Sequence, residues 1–328
     1  MSINYHLFAD SKISRHQNAL CIETDGKKII PPTDVEALYV HGQVNFNSAL
    51  IHFLGGKQIP VFFFSYYDHY TGAFFPKSGM QSGSLLIQQV KSYLEPERRL
   101  LLARKIVYGA GSNCRKMLMY YANRKQPALE PIIATIDIFL QKIQRATSIP
   151  ELMGYEANVR AGYYKSFDHI VPALPMKGRS RRPPQNEMNA LISFGNSLCY
   201  TACLQELYHT RLDPTISFLH EPGYRRFSLA LDIAEIFKPV LVDRTIFKLV
   251  NKKMIGTNHF EWKDGGCYLS QEGRKIFVRA WEERLRDTIQ HPSVNRSMSY
   301  KEFLRHEGHK LSAHLSGKDI YEPFKAQW

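Results

Sequence analysis

The spacing of apolar and polar positions changes character partway along the chain. Up to about residue 76 the apolar runs are short and turn-bounded: 5–8, 19–24, 28–31, 37–40 and 60–64. Such runs predict strands. Asp25-Gly26 between two of them predicts a hairpin, and Pro31-Pro32 a further turn. The stretch 47–54, closed by Gly55-Gly56, predicts one short helix. The continuous apolar run Pro60-Val61-Phe62-Phe63-Phe64 predicts a strand covered on both faces. From residue 85 the period becomes helical, with helices predicted over 85–108, 113–124, 130–145, 151–167, 185–210, 229–250, 270–288 and 300–315. Ser112-Asn113 and Ser148-Ile149-Pro150-Glu151 carry helix-start chemistry, and the tail around Pro323 reads as loose. The pattern therefore predicts an α+β protein: a small N-terminal β-rich domain over 1–76, a Gly/Ser/Pro-rich linker over 77–84, and a larger all-α domain over 85–328. The aromatics before the linker (Tyr66, Tyr67, Tyr70, Phe74, Phe75) suit an interface between domains or subunits, or base stacking.

Composition adds one strong constraint. The 328 residues are 44% hydrophobic and 22% charged, an ordinary globular balance, but the net charge is +13. That excess points to phosphate backbones rather than to a membrane, because no apolar run approaches a bilayer span and no basic amphipathic helix stands out. The five cysteines (Cys21, Cys114, Cys199, Cys203, Cys267) are odd in number and scattered, which implies free thiols and a reducing cytoplasmic setting. Cys199 and Cys203, four apart in an apolar helix, read as packing rather than a metal pair. The loop 176–187 gathers Lys177, Arg179, Arg181 and Arg182 before Pro183-Pro184, a grip for backbone phosphates or a solvated loop.

Candidate chemistry concentrates in 218–243. His220-Glu221 precedes a Pro222-Gly223 turn and the pair Arg225-Arg226; the helix that follows carries Asp232 and Glu235 on one face. A histidine facing a carboxylate-bearing helix supplies what a divalent metal needs, and the arginines suit an anionic substrate. Upstream, Glu156 lies one turn before Arg160, with Tyr163 further along; taken alone this reads as a surface ion pair.

Together the segments GYEANVRAGYY, SRRPPQNEMNALISFGNSLCY and FLHEPGYRRFSLALDIAEIFKP resemble the CRISPR-associated integrase family, the catalytic subunit of spacer acquisition. The segment from Leu38 to Pro76 is similar to that family's N-terminal β domain. The resemblance implies metal ligands at Glu156, His220 and Glu235, a further acid at Asp232 and a supporting Asn189. Many relatives carry Asp where Glu235 stands, which leaves Asp232 as a competing ligand or a neighbour of the ion. The implied cofactor is Mn2+ or Mg2+; one imidazole among carboxylates makes manganese at least as comfortable. Arg179, Arg181, Arg182, Arg225 and Arg226 become the expected DNA contacts. The implied activity is metal-dependent cleavage and strand transfer, in which a DNA 3′-hydroxyl attacks a phosphodiester of a repeat array. The implied partners are double-stranded DNA (spacer precursor and repeat array), a second copy forming a homodimer through the β domain, and a small companion CRISPR-associated protein bridging two dimers. The wording around LDIAEIFKP is similar to subtype I-B members. A DNA-end-binding scaffold with a weak or unused metal site is the alternative; a hydrolase of small phosphoesters fits the charge poorly.

Overall fold

The structure, a computed structural model, describes residues 2–77, 82–124, 126–223, 227–290 and 296–327. The chain divides into two compact units, Met1–Gly79 and Met80–Trp328.

The first unit holds β1 (Ile3–Leu7), β2 (Ser11–His16), β3 (Ala19–Glu23), β4 (Lys27–Ile30), β5 (Val35–Val40), β6 (Val44–Asn45), α1 (Ser48–Gly56), β7 (Val61–Phe64) and β8 (Tyr70–Phe74). They form two four-stranded sheets, ordered β1-β5-β7-β8 and β4-β3-β2-β6. β1, β5 and β7 run parallel, and β8 returns antiparallel on β7. The expected hairpin at Asp25-Gly26 joins β3 to β4. β2 escapes the apolar-run criterion because its residues alternate, Ser11 and Ile13 inward and Lys12 outward. Leu7, Leu20, Leu38, Leu50, Phe53 and Val61 pack the core of this unit. α1 begins where the Asn47 side chain accepts from the Leu50 N–H at 3.0 Å. Tyr66 and Tyr67 meet edge to face, and Tyr66 remains exposed.

The second unit holds α2 (Gly83–Leu94), α3 (Pro96–Ala122), α4 (Glu130–Arg145), α5 (Ile149–Lys165), α6 (Phe167–Ile170), α7 (Glu187–Tyr208), α8 (Ser228–Lys238) and α9 (Arg244–Asn251). β9 (Phe260–Lys263), β10 (Gly266–Leu269), α10 (Gln271–Arg286), β11 (Thr288–Gln290), β12 (Ser297–Ser299) and α11 (Tyr300–Leu315) complete it. The unit is helical, with two short antiparallel pairs, β9 with β10 and β11 with β12, added to what the pattern predicted.

Four sequence expectations are corrected. The predicted break at 109–112 does not exist: α3 runs through it, and the break falls instead at Pro96. Gly109 is needed for contact, since a Cβ there would meet Pro323 at 2.7 Å. Nor is Asn113 a helix start. It is buried in α3, donating to the carbonyls of Ile236 (2.8 Å) and Phe324 (3.1 Å) and accepting from the Ala326 N–H (2.8 Å). The tail is accordingly docked: Phe324 stacks on Phe237 at 5.0 Å, and the Tyr321 hydroxyl donates to Glu307 at 2.6 Å. Finally, the span 229–250 is not one uniform helix. A π-helical turn, Pro239–Asp243, separates α8 from α9. Pro239 has no N–H to donate to the Glu235 carbonyl one turn back.

Candidate functional site

α5 begins on Ser148, whose hydroxyl accepts from the Glu151 N–H at 3.3 Å, with Pro150 in the first turn. Two turns on, it presents Glu156 and Arg160. Arg160 is not a surface residue; only 9% of it is exposed. Its Nε donates to Glu156 Oε1 at 3.3 Å, and its Nη2 donates both to Glu235 Oε2 at 2.5 Å and to the Glu235 carbonyl at 3.1 Å. The carbonyl that Pro239 leaves open is thus satisfied by a side chain from α5. Lys238, one turn after Glu235, donates to its other carboxylate oxygen.

The two carboxylates respond oppositely. Burial, then the neighbouring charge of Glu235, raises Glu156 above the usual carboxylate range against the pull of Arg160. Burial also opposes ionisation of Glu235, but Lys238 and Arg160 outweigh it and hold that group well below the usual range.

His220 sits on the loop before α8, and Asp232 fixes it there. Asp232 is fully buried and accepts four hydrogen bonds. Phe218 and Leu219 N–H donate to Oδ2 at 2.7 and 3.0 Å; His220 N–H lies 3.0 Å and its Nδ1 2.8 Å from Oδ1. α2 and α3 hold the same loop from the other side. Gln89 donates to the carbonyls of Asp213 and Ile216, and Arg99 donates to the Phe218 carbonyl and pairs with Glu221 at 2.7 Å. Burial works against an imidazolium at His220, yet the hydrogen bond and charge of Asp232, with Glu235 beyond, raise its pKa on balance.

Asn189, fully buried near the start of α7, organises the basic loop. It donates to the Gly178 carbonyl at 2.8 Å, and its oxygen accepts from Arg179 Nη1 at 2.8 Å and the Ser180 N–H at 3.1 Å. Arg179 therefore turns inward, and burial lowers its pKa. Arg181 and Arg182 are exposed on the loop. Arg225 and Arg226 lie outside the described residues.

The structure brings Glu156 and Glu235 to one guanidinium and sets His220 within electrostatic range of Glu235. Among the described residues no three His, Cys, Asp or Glu side chains form a ready-made cage, because Arg160 stands between the carboxylates. Still, the donor set fits a divalent ion. His220 Nδ1 is taken by Asp232, and Nε2 carries no hydrogen bond among the described residues; a carboxylate behind a ligating imidazole is the usual support. Arg160 Nη1 is buried with no hydrogen-bond partner, so the pocket holds unspent polarity. Two residues here escaped sequence reasoning as site members. Lys238 had its three-residue spacing from Glu235 as a signal, whereas Asp243, buried beside Tyr163, had none.

Residues 5–283 match the family model described as CRISPR associated protein Cas1. The chain is 41% identical over its full length to CRISPR-associated endonuclease Cas1 2 of Thermodesulfovibrio yellowstonii, covering all of that protein. It is 42% identical to a protein of the same description from Moorella thermoacetica, with 99% of each chain aligned. Among solved structures, a Cas1 protein from Thermotoga maritima superposes with a TM-score of 0.88 at 37% identity, covering 98% of this chain and 100% of that one. A casposase bound to integration product shares the fold, with a TM-score of 0.88 at 19% identity, covering 100% of this chain and 95% of that one. The chain belongs to the Cas1 family of CRISPR-associated proteins.

Proposed function

We propose that the helical unit is a metal-dependent DNA endonuclease and integrase that joins the 3′ ends of short DNA fragments to a CRISPR repeat array. One observation carries the reading. Glu156 of α5 and Glu235 of α8 share the Arg160 guanidinium, with the Asp232-fixed His220 in electrostatic range of Glu235, in a protein with a net charge of +13. Glu156, Glu235 and His220 Nε2 are the groups that would hold Mn2+ or Mg2+, the carboxylates turning from Arg160 toward the ion. A bound ion there would polarise a scissile phosphodiester and activate an attacking oxygen. Asp232 keeps the imidazole in the tautomer whose Nε2 has a lone pair. Lys238 and Arg160 supply positive charge beside the carboxylates, which suits a phosphate. Arg181 and Arg182, with Arg225 and Arg226, are proposed contacts to DNA backbone. The chain's partners are proposed to be double-stranded DNA, a second copy of the chain through the β unit, and a small companion protein that bridges two dimers. No described helix is long and apolar enough to cross a membrane, which accords with action in the cytoplasm.

The test is strand joining with manganese alongside DNA binding by fluorescence anisotropy. Glu156→Ala and His220→Ala abolish joining and leave DNA affinity within about twofold, because neither removes a backbone contact. Undiminished joining by both would remove the catalytic assignment. The pairing of both carboxylates with Arg160, and of Glu235 with Lys238, favours one competing reading, a DNA-end scaffold that works without an ion. Calorimetry decides between them, since a scaffold would take up no manganese at this centre.

A further inference from the structure

A second basic recess lies elsewhere on the helical unit. The end of α3 (Tyr120, Tyr121), Arg124 just beyond it, α9 with Lys252, and Arg284 and Asp287 of the α10 end enclose a cleft of about 460 Å3. Five cations line it (Arg124, Arg244, Lys248, Lys252, Arg284) against one carboxylate, Asp287. Two of the cations are placed by an aromatic ring. Arg124 lies 3.6 Å and Arg244 3.9 Å from the centre of Tyr120. Two guanidiniums cannot share one face at those distances, so Tyr120 is sandwiched between them. Stacking fixes the Arg124 guanidinium by its face and leaves its N–H edge to meet an anion, while Arg244 also hydrogen-bonds Tyr121. Arg284 is fixed as well, over Tyr300 at 4.1 Å and donating to the Val240 carbonyl at 3.0 Å. Arg124 and Lys252 meet no carboxylate among the described residues, whereas Lys248 pairs with Glu283 and Arg284 with Asp287. Holding so many cations together costs stability through mutual repulsion, which a bound polyanion would relieve.

We propose that this cleft, to which no role is assigned above, binds a nucleotide of single-stranded DNA, its phosphate held by the cations and its base against the guanidinium and aromatic faces. The dimensions favour a single strand. A recess of this volume admits one nucleotide, whereas the backbone of a duplex is convex and meets protruding loops. An unpaired base can turn into a recess and stack on an arginine plane or a ring. The choice of DNA over a free nucleotide rests on the proposed function; the chemistry recognised, a phosphate beside a base, is common to both sources.

Binding measured in EDTA by fluorescence anisotropy tests the idea without metal or strand joining, so its outcome is separate from that of the candidate centre. The probes are one duplex sequence with blunt ends and the same duplex with single-stranded 3′ ends. Arg124→Ala/Lys252→Ala, at two exposed positions, weakens binding of the overhanging duplex roughly tenfold or more and leaves the blunt duplex unchanged. The slope of log affinity against log salt on the overhanging duplex falls by about 2. Asn251→Asp, which adds a carboxylate to the lining with little change of shape, acts in the same direction. Lys275→Ala, an exposed cation of α10 outside the cleft, changes neither probe. Equal weakening on both probes, or none on either, overturns the proposal. Full displacement of the overhanging strand from the cleft by low-micromolar free mononucleotide also overturns it, in favour of a small-nucleotide pocket.

Discussion

Replacing Asp232 with Asn tests how the imidazole is held. Asp232 accepts two N–H bonds on Oδ2, from Phe218 and Leu219, and two on Oδ1, from His220 N and Nδ1. An amide keeps only one oxygen, so its NH2 must face one of these pairs. Facing Phe218 and Leu219, it meets two backbone donors and forfeits two charge-assisted bonds, about 3–6 kcal/mol. Facing His220, it conflicts with one backbone donor, while Nδ1 accepts its hydrogen once the ring proton has moved to Nε2. That orientation forfeits about 1.5–3 kcal/mol and is the one adopted. At roughly 2–4 °C per kcal/mol for a unit of this size, the melting temperature falls by about 3–12 °C. The larger consequence is chemical. The ring proton now occupies the nitrogen that would bind the ion, so manganese affinity falls by about 10- to 100-fold. Differential scanning fluorimetry, calorimetry with manganese and nitrogen NMR of the ring read the three effects separately. A variant that loses stability but keeps both the Nδ1–H tautomer and its manganese affinity would refute the reasoning, because Asp232 would then be a loop brace alone.

Three other predictions follow from buried groups. Arg160→Met leaves Glu156 and Glu235 to share Lys238 and destabilises the metal-free protein by about 3–5 kcal/mol; manganese then raises its melting temperature more than the parent's, and an equal rise would contradict the shared centre. Burial pushes the Asp243 carboxyl up to about 7 from its ordinary value of 3.8. The native state therefore holds a proton that the unfolded chain releases, and stability from this group is present below about 4 and lost as pH rises through about 7. Asp243→Asn removes that slope, so its urea midpoint gains on the parent's between pH 5 and 8, and a constant gap would show the assignment to be wrong. Gly195→Ala drives a methyl into Val242 and against Phe277 and lowers stability by about 1–3 kcal/mol, measured by urea denaturation; an unchanged midpoint would mean that α7 can move away.

Where a residue's role was set by its chain neighbours, the sequence was a good guide. α11 occupies Tyr300–Leu315, the span its periodicity predicted, and the Ser299–Glu302 capping box explains so sharp a start. Asn47 likewise starts α1 where the pattern placed it. Reading failed where a residue served a distant partner. The break predicted at 109–112 was wrong because Gly109 and Asn113 serve contacts far along the chain, with Pro323 and Phe324. Arg160 looked like half of a surface pair because its second partner is 75 residues away. For the candidate site, family resemblance nominated Glu156, His220, Asp232 and Glu235. Their division of labour was not: which acid braces the histidine depends on how the loop from Ser217 folds over α8, and neither period nor spacing encodes that.

The open carbonyl before Pro239 gives Arg160 a second anchor, and this separates its position from its charge partner. An arginine held only by carboxylates would be cast loose whenever those carboxylates turned elsewhere. Here one hydrogen bond to the main chain persists through such a change. On the proposed reading the guanidinium would yield Glu156 and Glu235 to a cation by side-chain rotation, with no rebuilding of the helices around them. A missing N–H, a defect by the ordinary accounting of helices, becomes a tether that holds Arg160 to the main chain.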